Sequence, residues 1–239
     1  MAWKWYESKV TEIEDASSTT KRFWVEVEEP IDFKAGQFVT MDLPISDKRL
    51  KRWRSYSIAN APDQSNILEF CIVNLEGGAA SQYLFNEVNV GTPIKFKGPS
   101  GNFVLPPEIK QDIVLICTGT GVAPFRSMIQ DIINQDIPHK NIHLIFGTRY
   151  EEGILYREEF EMWNLKYNWF QYDVALSREK DWKGYRGYIH DIYLEKYQNN
   201  SKDTHFYLCG WTPMIDEAVA NLITKMKVEQ PFIHYELYG

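Results

Sequence analysis

The sequence predicts two domains: an N-terminal antiparallel β-barrel over residues 1–105, then a C-terminal α/β domain over residues 106–239 with helices on both faces of a parallel sheet. Two observations predict this. Short β-rich runs separated by turn residues fill roughly the first hundred positions, the pattern of a small barrel or sandwich. Beyond them, continuous apolar runs alternate with helical patterns, which is how a parallel sheet covered on both faces reads.

In the first part, Thr20–Glu26 alternates, with Phe23 and Val25 set against Arg22, Trp24 and Glu26. Gln37–Leu43, Arg54–Ile58, Ile67–Val73 and Pro93–Phe96 are further short runs. Glu29-Pro30, Ala35-Gly36, Pro44, Pro62-Asp63 and Gly91-Thr92-Pro93 separate them with turn chemistry. One helix interrupts at Ser81–Asn86, after Gly77-Gly78, and Pro106-Pro107 marks the junction. In the second part, the apolar run Ile113–Cys117 leads through Gly119-Thr120-Gly121 into a helix over Ala123–Asn134. Ile142–Phe146, Phe170–Leu176 and His205–Cys209 are further strands, each trailed by a helical pattern. Thr212 is expected to cap the last helix, with Pro213 in its first turn and Ala218 and Leu222 on its apolar face.

With 44% hydrophobic and 25% charged residues the 239-residue chain has ordinary globular composition, which excludes disordered and fibrous classes. No apolar run is long enough to span a membrane, and Met1–Val10 carries Lys4, Glu7 and Lys9 in place of the apolar core of a signal peptide. Cys71, Cys117 and Cys209 are widely spaced and odd in number, which argues against a disulfide scaffold, an iron–sulfur cluster or a zinc site. The expected compartment is therefore the cytoplasm, with no metal bound. A net charge of −7 disfavours nucleic acid as a partner.

The sharpest local signal is Gly119-Thr120-Gly121-Val122-Ala123-Pro124 directly after a strand. Glycines there let the backbone approach a phosphate, and the next helix offers free N–H groups and the positive end of its dipole. The same residues also suit a tight turn with no ligand. Pro124 replaces the third glycine of a dinucleotide fingerprint, and Phe146-Gly147-Thr148-Arg149 ends the second strand without an acidic residue. A plain Rossmann dehydrogenase is thereby disfavoured. The second signal is Arg54-Ser55-Tyr56-Ser57 on a barrel strand. An arginine can grip a pyrophosphate, a tyrosine two residues on shares its face, and a serine can bond a heteroaromatic nitrogen. Read alone, it is also just a polar strand. Neither Gly-x-Ser-x-Gly, His-Glu-x-x-His nor a P-loop occurs. His139 and His143 read as surface residues, and Cys117 as structural.

Taken in order, these segments resemble the ferredoxin–NADP⁺ reductase superfamily along nearly the whole chain. Arg54-Ser55-Tyr56-Ser57 is similar to its flavin-binding Arg-x-Tyr-Ser, and Gly78-Ala79-Ala80-Ser81 to its second flavin element, a helix N-terminus at the flavin's phosphate. Gly36-Gln37-Phe38 and Gly98-Pro99-Ser100-Gly101 resemble barrel segments. Thr118–Pro124 resembles the nicotinamide-cofactor loop, Cys209-Gly210 with Met214 the last strand-to-helix turn, and His234-Tyr235-Glu236-Leu237-Tyr238 the Glu-x-Tyr ending of plant-type reductases.

The resemblance implies FAD on the barrel and a nicotinamide dinucleotide on the α/β domain. Arg54 would neutralise the flavin's pyrophosphate, Tyr56 pack against the flavin and Ser57 bond its N5, with Ser55, Ile72, Val73, Gly78, Ala80 and Ser81 completing the site. Thr118, Gly119, Thr120, Gly121, Pro124, Gly147, Thr148, Arg149, Gly210 and Met214 would hold the dinucleotide. Tyr238 would cover the other ring face and give way to nicotinamide, beside Cys209 and Glu236. Ser57, Cys209, Glu236 and Tyr238 are thus the expected catalytic set, with Glu236 orienting the nicotinamide or relaying a proton. Bland readings stand beside these: Cys209 as a small buried hydrophobe and Glu236 as a solvated charge near a terminus. Gly239 follows the terminal tyrosine, Asn74 stands where many relatives carry Lys or Arg, and the short loop after Gly78 keeps FMN open as an alternative to FAD.

In NADP-dependent relatives a Ser-Arg pair and a later basic residue and tyrosine hold the 2′-phosphate; Ser177, Arg178, Arg186 and Tyr188 fit that pattern. NADPH is the expected nucleotide, with NADH open because Glu179 and Asp181 blur the local charge. The basic run Lys48–Arg54 leads into the flavin motif of an acidic chain, so it is expected to steer an acidic electron-transfer protein, a ferredoxin or flavodoxin, to a monomeric enzyme. The function implied is a flavin-dependent oxidoreductase moving electrons from NADPH through FAD to such a one-electron acceptor. Two alternatives remain: an NADH-dependent oxygenase reductase component or free-flavin reductase, and a non-catalytic flavin-binding subunit or redox sensor.

Overall fold

A computed structural model of the protein describes residues 4–199 and 201–238; Gly239 and the first three residues lie outside it. The first half forms β1 (Trp5–Ser17), β2 (Thr20–Val27), β3 (Phe38–Asp42), the single turn α1 (Arg49–Arg52), β4 (Trp53–Ser57), β5 (Ile67–Val73), α2 (Ala79–Asn86) and β6 (Pro93–Ser100). The second forms β7 (Asp112–Thr118), α3 (Ala123–Gln135), β8 (Ile142–Thr148), α4 (Arg157–Lys166), β9 (Phe170–Leu176), β10 (Tyr185–Arg186), α5 (His190–Tyr197), β11 (Thr204–Trp211), α6 (Thr212–Thr224) and β12 (Ile233–Tyr238). Two compact units result: residues up to Leu105 together with Ala123–Asp136, and Pro106–Val122 together with the chain from Ile137 onward.

The six strands of the first unit order as β4-β3-β6-β1-β2-β5, with every pairing antiparallel. The sheet curls back on itself where the Ala59 N–H, just past β4, donates to the Glu69 carbonyl of β5 at 2.8 Å. Alternation explains the packing: Phe23, Val25 and Val27 point inward with Val10, Val39, Met41, Phe70 and Phe96 to make the core. Strand β1 was not among the expected elements. A bulge between Val10 and Glu12 breaks its period, and charges intersperse its aromatics, so no clean alternation shows.

The second sheet is wholly parallel, in the order β10-β9-β8-β7-β11-β12. From β7 the chain winds outward through β8, β9 and β10, then returns to β7's other side with β11. The strand order therefore reverses between β7 and β11, the point at which open α/β sheets leave a crevice beyond their carboxyl ends. Val114, Ile116, Ile145, Phe206 and Leu208 face α5 and α6 in one core, while Phe160 and Trp163 of α4 pack on Phe170 and Tyr172. Thr212 is not the cap of the last helix: Trp211 holds that position and Thr212 is the first helical residue. His143 is not a surface residue either. It sits on an inner strand, buried, with its Nδ1 2.8 Å from the Tyr197 hydroxyl and its Nε2 2.8 Å from Asp173.

Candidate functional site

In the first unit the candidate residues lie along β4 and at the start of α2. Arg54 and Tyr56 share one face of β4, as period two requires, opposite Met41 and Val39 of β3. The Arg54 guanidinium is exposed and donates to the carbonyls of Lys51 at 3.0 Å and Trp53 at 2.8 Å. Tyr56 is half-buried against the barrel core, and burial pushes its hydroxyl up to about 12, against the lowering effect of Arg54. Ser55 is exposed and pairs with Thr40, while Ser57 is buried at the strand's end. Ile72 is a core residue and Val73 is exposed beside it.

Helix α2 begins at Ala79 with Gly78 as its cap, no side chain capping its first turn and no acidic residue there. Ala80 is buried. The Ser81 hydroxyl is turned inward: it accepts from the Leu75 N–H and bonds the Leu75 and Gly78 carbonyls, all at 3.0 Å. Ser81 therefore shapes the loop, and the backbone N–H groups of the first turn are what it presents.

In the second unit the candidates gather at the carboxyl ends of the strands. Thr118 ends β7, and Gly119 follows with a left-handed φ of +53°. The tight turn Gly119–Val122 lies against the end of β11: a Cβ on Gly121 would overlap the Cys209 carbonyl, and one on Gly210 would come within 2.7 Å of the Thr118 hydroxyl. Only glycine permits that approach, so the loop and β11 close on one another across the reversal of strand order. Thr120 is half-buried on this turn, and Pro124 is buried in the first turn of α3. Met214, in the first turn of α6, is buried in the core of the second unit.

Cys209 is paired in register with Cys117 on one side and Glu236 on the other, and Trp211 with Tyr238. Cys209 is fully buried; burial and the neighbouring Glu236 carboxylate push its thiol well above the ordinary range, a hydrogen bond to Tyr238 opposing. Burial and Glu236 thus both favour the neutral thiol. Burial pushes Glu236 up to about 7, and its Oε2 is buried with no hydrogen-bond partner. The reading of Glu236 as a solvated charge does not survive this. Trp211, 62% exposed on the same edge, went unremarked in the sequence because a single aromatic after Cys-Gly carries no pattern.

Farther along the sheet, Gly147 and Thr148 end β8 with Arg149 beyond them. The Ser177 N–H donates to the Thr148 carbonyl at 3.0 Å and the Arg178 N–H to that of Arg149 at 2.9 Å. Arg186 pairs in register with Leu176, next to Ser177, and its Nε donates to the Trp182 carbonyl at 2.8 Å. Three arginines and Ser177 are thereby brought to one end of the sheet, with Tyr188 72% exposed nearby in sequence. The basic run is partly engaged: Arg52 pairs with Asp42 at 2.8 Å, and Arg49 and Lys97 lie over the Trp53 ring. Among the described residues no cluster of three or more potential metal ligands forms, and no helix is long and apolar enough to cross a membrane.

Sequence comparisons agree with this division of labour. A family model of the oxidoreductase FAD-binding domain matches residues 7–105, and one of the oxidoreductase NAD-binding domain matches residues 115–220. Ferredoxin–NADP reductase B of Sorangium cellulosum is 32% identical over 212 residues, 86% of this chain and 85% of that protein. The chain belongs to the ferredoxin reductase-like superfamily of FAD- and NAD-binding oxidoreductases. The phenol hydroxylase P5 protein of Acinetobacter pittii is also 32% identical, over 236 residues; this covers 98% of the chain but only 65% of that relative's length. The crystal structure of the Amycolatopsis cytochrome P-450 reductase GcoB superposes with a TM-score of 0.89 at 27% identity, covering 98% of this chain and 70% of that one.

Proposed function

We propose that this chain is the FAD- and nicotinamide-binding reductase portion of an oxygenase-type electron-transfer system, taking electrons from NADPH and passing them to a protein acceptor. The observation that carries the reading is the trio Cys209, Glu236 and Tyr238 on β11 and β12, beside the reversal of strand order, with a buried carboxyl oxygen left without a partner. An orphaned acceptor of that kind, beside a glycine turn that keeps side chains away, fits a bound amide-bearing ring and a phosphate. The sequence favoured a ferredoxin or flavodoxin as acceptor. Similarity to a phenol hydroxylase component along 98% of the chain supports an oxygenase partner more strongly.

On this reading the N–H groups of Ala79, Ala80 and Ser81 and the Arg54 guanidinium hold the flavin's phosphates, which neutralises them. Tyr56 and Ser57 fix the ring, and residues 1–105 serve as the FAD domain, residues 106–239 as the nucleotide domain. FAD held there would supply the conversion between a two-electron donor and a one-electron acceptor. Glu236 accepts a hydrogen bond that orients the nicotinamide, and at neutral pH it also holds or gives up a proton at Oε2. The neutral Cys209 thiol and the Tyr238 ring keep water away without adding charge. Arg149, Arg178 and Arg186 with Ser177 and Tyr188 favour a 2′-phosphate, hence NADPH over NADH.

Rapid-mixing measurements on Glu236→Gln and Ser57→Ala test these roles. Both variants should retain flavin and be reduced by NADPH about tenfold or more slowly, since general acid–base and positioning groups contribute at least that much. A variant reduced at the wild-type rate removes that residue from the site.

A further inference from the structure

Within the first unit, one face of α3 is polar where the rest of the helix is apolar. Arg126 and Ser127 are buried on it, at 7% and 0% exposure. Arg126 Nη1 donates to the Ala59 carbonyl at 3.0 Å and to Glu69 Oε2 at 2.8 Å. Ser127 Oγ donates to the Asn60 carbonyl at 2.7 Å, and Gln130 Oε1 accepts from the Ala61 N–H at 3.0 Å. One helical turn thus grips three consecutive residues of the segment that begins two positions after Ser57.

The other side of the clasp is equally tied. Glu69 is 3% exposed on β5, and its Oε1 accepts from Arg22 Nε at 2.7 Å. Its backbone N–H donates to Asn60 Oδ1 at 2.9 Å and its carbonyl accepts from the Ala59 N–H at 2.8 Å. Arg22 in turn pairs with Glu14 and lies over the Trp24 ring. A buried ion pair is a poor device for stability alone, because well-packed apolar residues do that as well; what it enforces is one geometry.

By chain continuity, the helix held this way is the one that the turn Gly119–Val122 enters, and the segment it holds is the one that leaves Ser57. We infer that Arg126, through Glu69, is a positioning residue: it fixes the helix that follows the nucleotide turn to the segment that follows the flavin strand. The inference rests on the reductase reading for its consequence in catalysis, but its structural content does not depend on that reading.

Two measurements on the full chain test it, using the volume-matched pair Arg126→Met with Glu69→Leu, and Arg126→Lys. Hydrogen exchange needs no turnover: the variants should exchange faster at residues 58–61 and 119–122 while β1, β2 and β8 stay protected. With flavin bound, the limiting rate of reduction by NADPH should fall about tenfold or more, while the concentration for half-maximal rate moves less than about threefold, as misplacement of bound reactants requires. Should the paired variant fail to fold, Arg126→Lys decides alone, since it keeps the charge but its ammonium ends one bond short of the Nη1 position that makes both bonds. Unchanged exchange at 58–61 and 119–122 overturns the inference, as does a limiting rate equal to wild type. A wild-type protein that neither nucleotide reduces would sink the reductase reading, and hydrogen exchange would still decide the clasp.

Discussion

The candidate residues of the two units are arranged in opposite ways. In the barrel, four contiguous residues, Arg54 to Ser57, lie on one strand, and backbone period alone decides which of them share a face. In the parallel sheet, Thr118, Arg149, Ser177, Cys209 and Glu236 come from different segments and share one edge only because parallel strands bring all their carboxyl ends to it. The difference teaches where each half is vulnerable. Changes on β4 act one residue at a time, whereas the sheet edge depends on close approach between loops and tolerates no added bulk.

The sharpest way to break that comparison is Gly121→Ala. Its Cβ would overlap the Cys209 carbonyl, so the turn must move, and a shift of about 1 Å at a reacting centre costs about a hundredfold in rate. Rapid mixing with NADPH should show that loss with flavin still bound; a rate within a few-fold of wild type would mean that the close approach is not needed.

Next in size, Arg178→Ala with Arg186→Ala should raise the KM for NADPH about 10–100-fold, the worth of one or two charge-assisted bonds, with little change for NADH. Equal losses would remove both from phosphate recognition.

Glu236 offers a smaller, pH-resolved effect. Its pKa in the fold is raised from 4.5 to about 7, so the folded chain holds a proton there that the unfolded chain releases. That contribution to stability is complete below pH 4.5 and is lost as pH rises to about 7. Thermal melts should therefore fall across that window by at least about 2–4 °C more in the wild type than in Glu236→Gln, the shift that roughly 1 kcal/mol gives in a chain of this size. Parallel curves would mean that the carboxyl is not perturbed. Smallest of all, charge reversal at Lys48, Arg49 and Lys51 should slow electron delivery to an acidic acceptor a few-fold at low salt, and less at high salt. An unchanged salt slope would free that surface from docking.

Much of this was legible in the sequence because the physics was local. Phe23 and Val25 alternate on β2, Ile113–Cys117 runs apolar on an inner strand, and Gly119–Gly121 punctuates the turn after it. Features set by distant partners were not. The bulge in β1 answers to β2, the burial of His143 to Asp173 and Tyr197, and the inward turn of Ser81 to Leu75. Nothing in the sequence sets Arg126 apart on its helix; only Glu69, 57 residues away, shows what it holds. The unpartnered oxygen of Glu236 was likewise invisible, since β12, with its mixed polar and aromatic residues, does not read as a strand.

The measurement that bears most directly on the account is an anaerobic titration of the purified protein with NADPH and then NADH, following the visible flavin band. The account predicts a yellow protein that bleaches with NADPH at far lower concentration than with NADH. A protein that retains flavin and is bleached by neither nucleotide would contradict it, and would leave a flavin-binding subunit without turnover of its own.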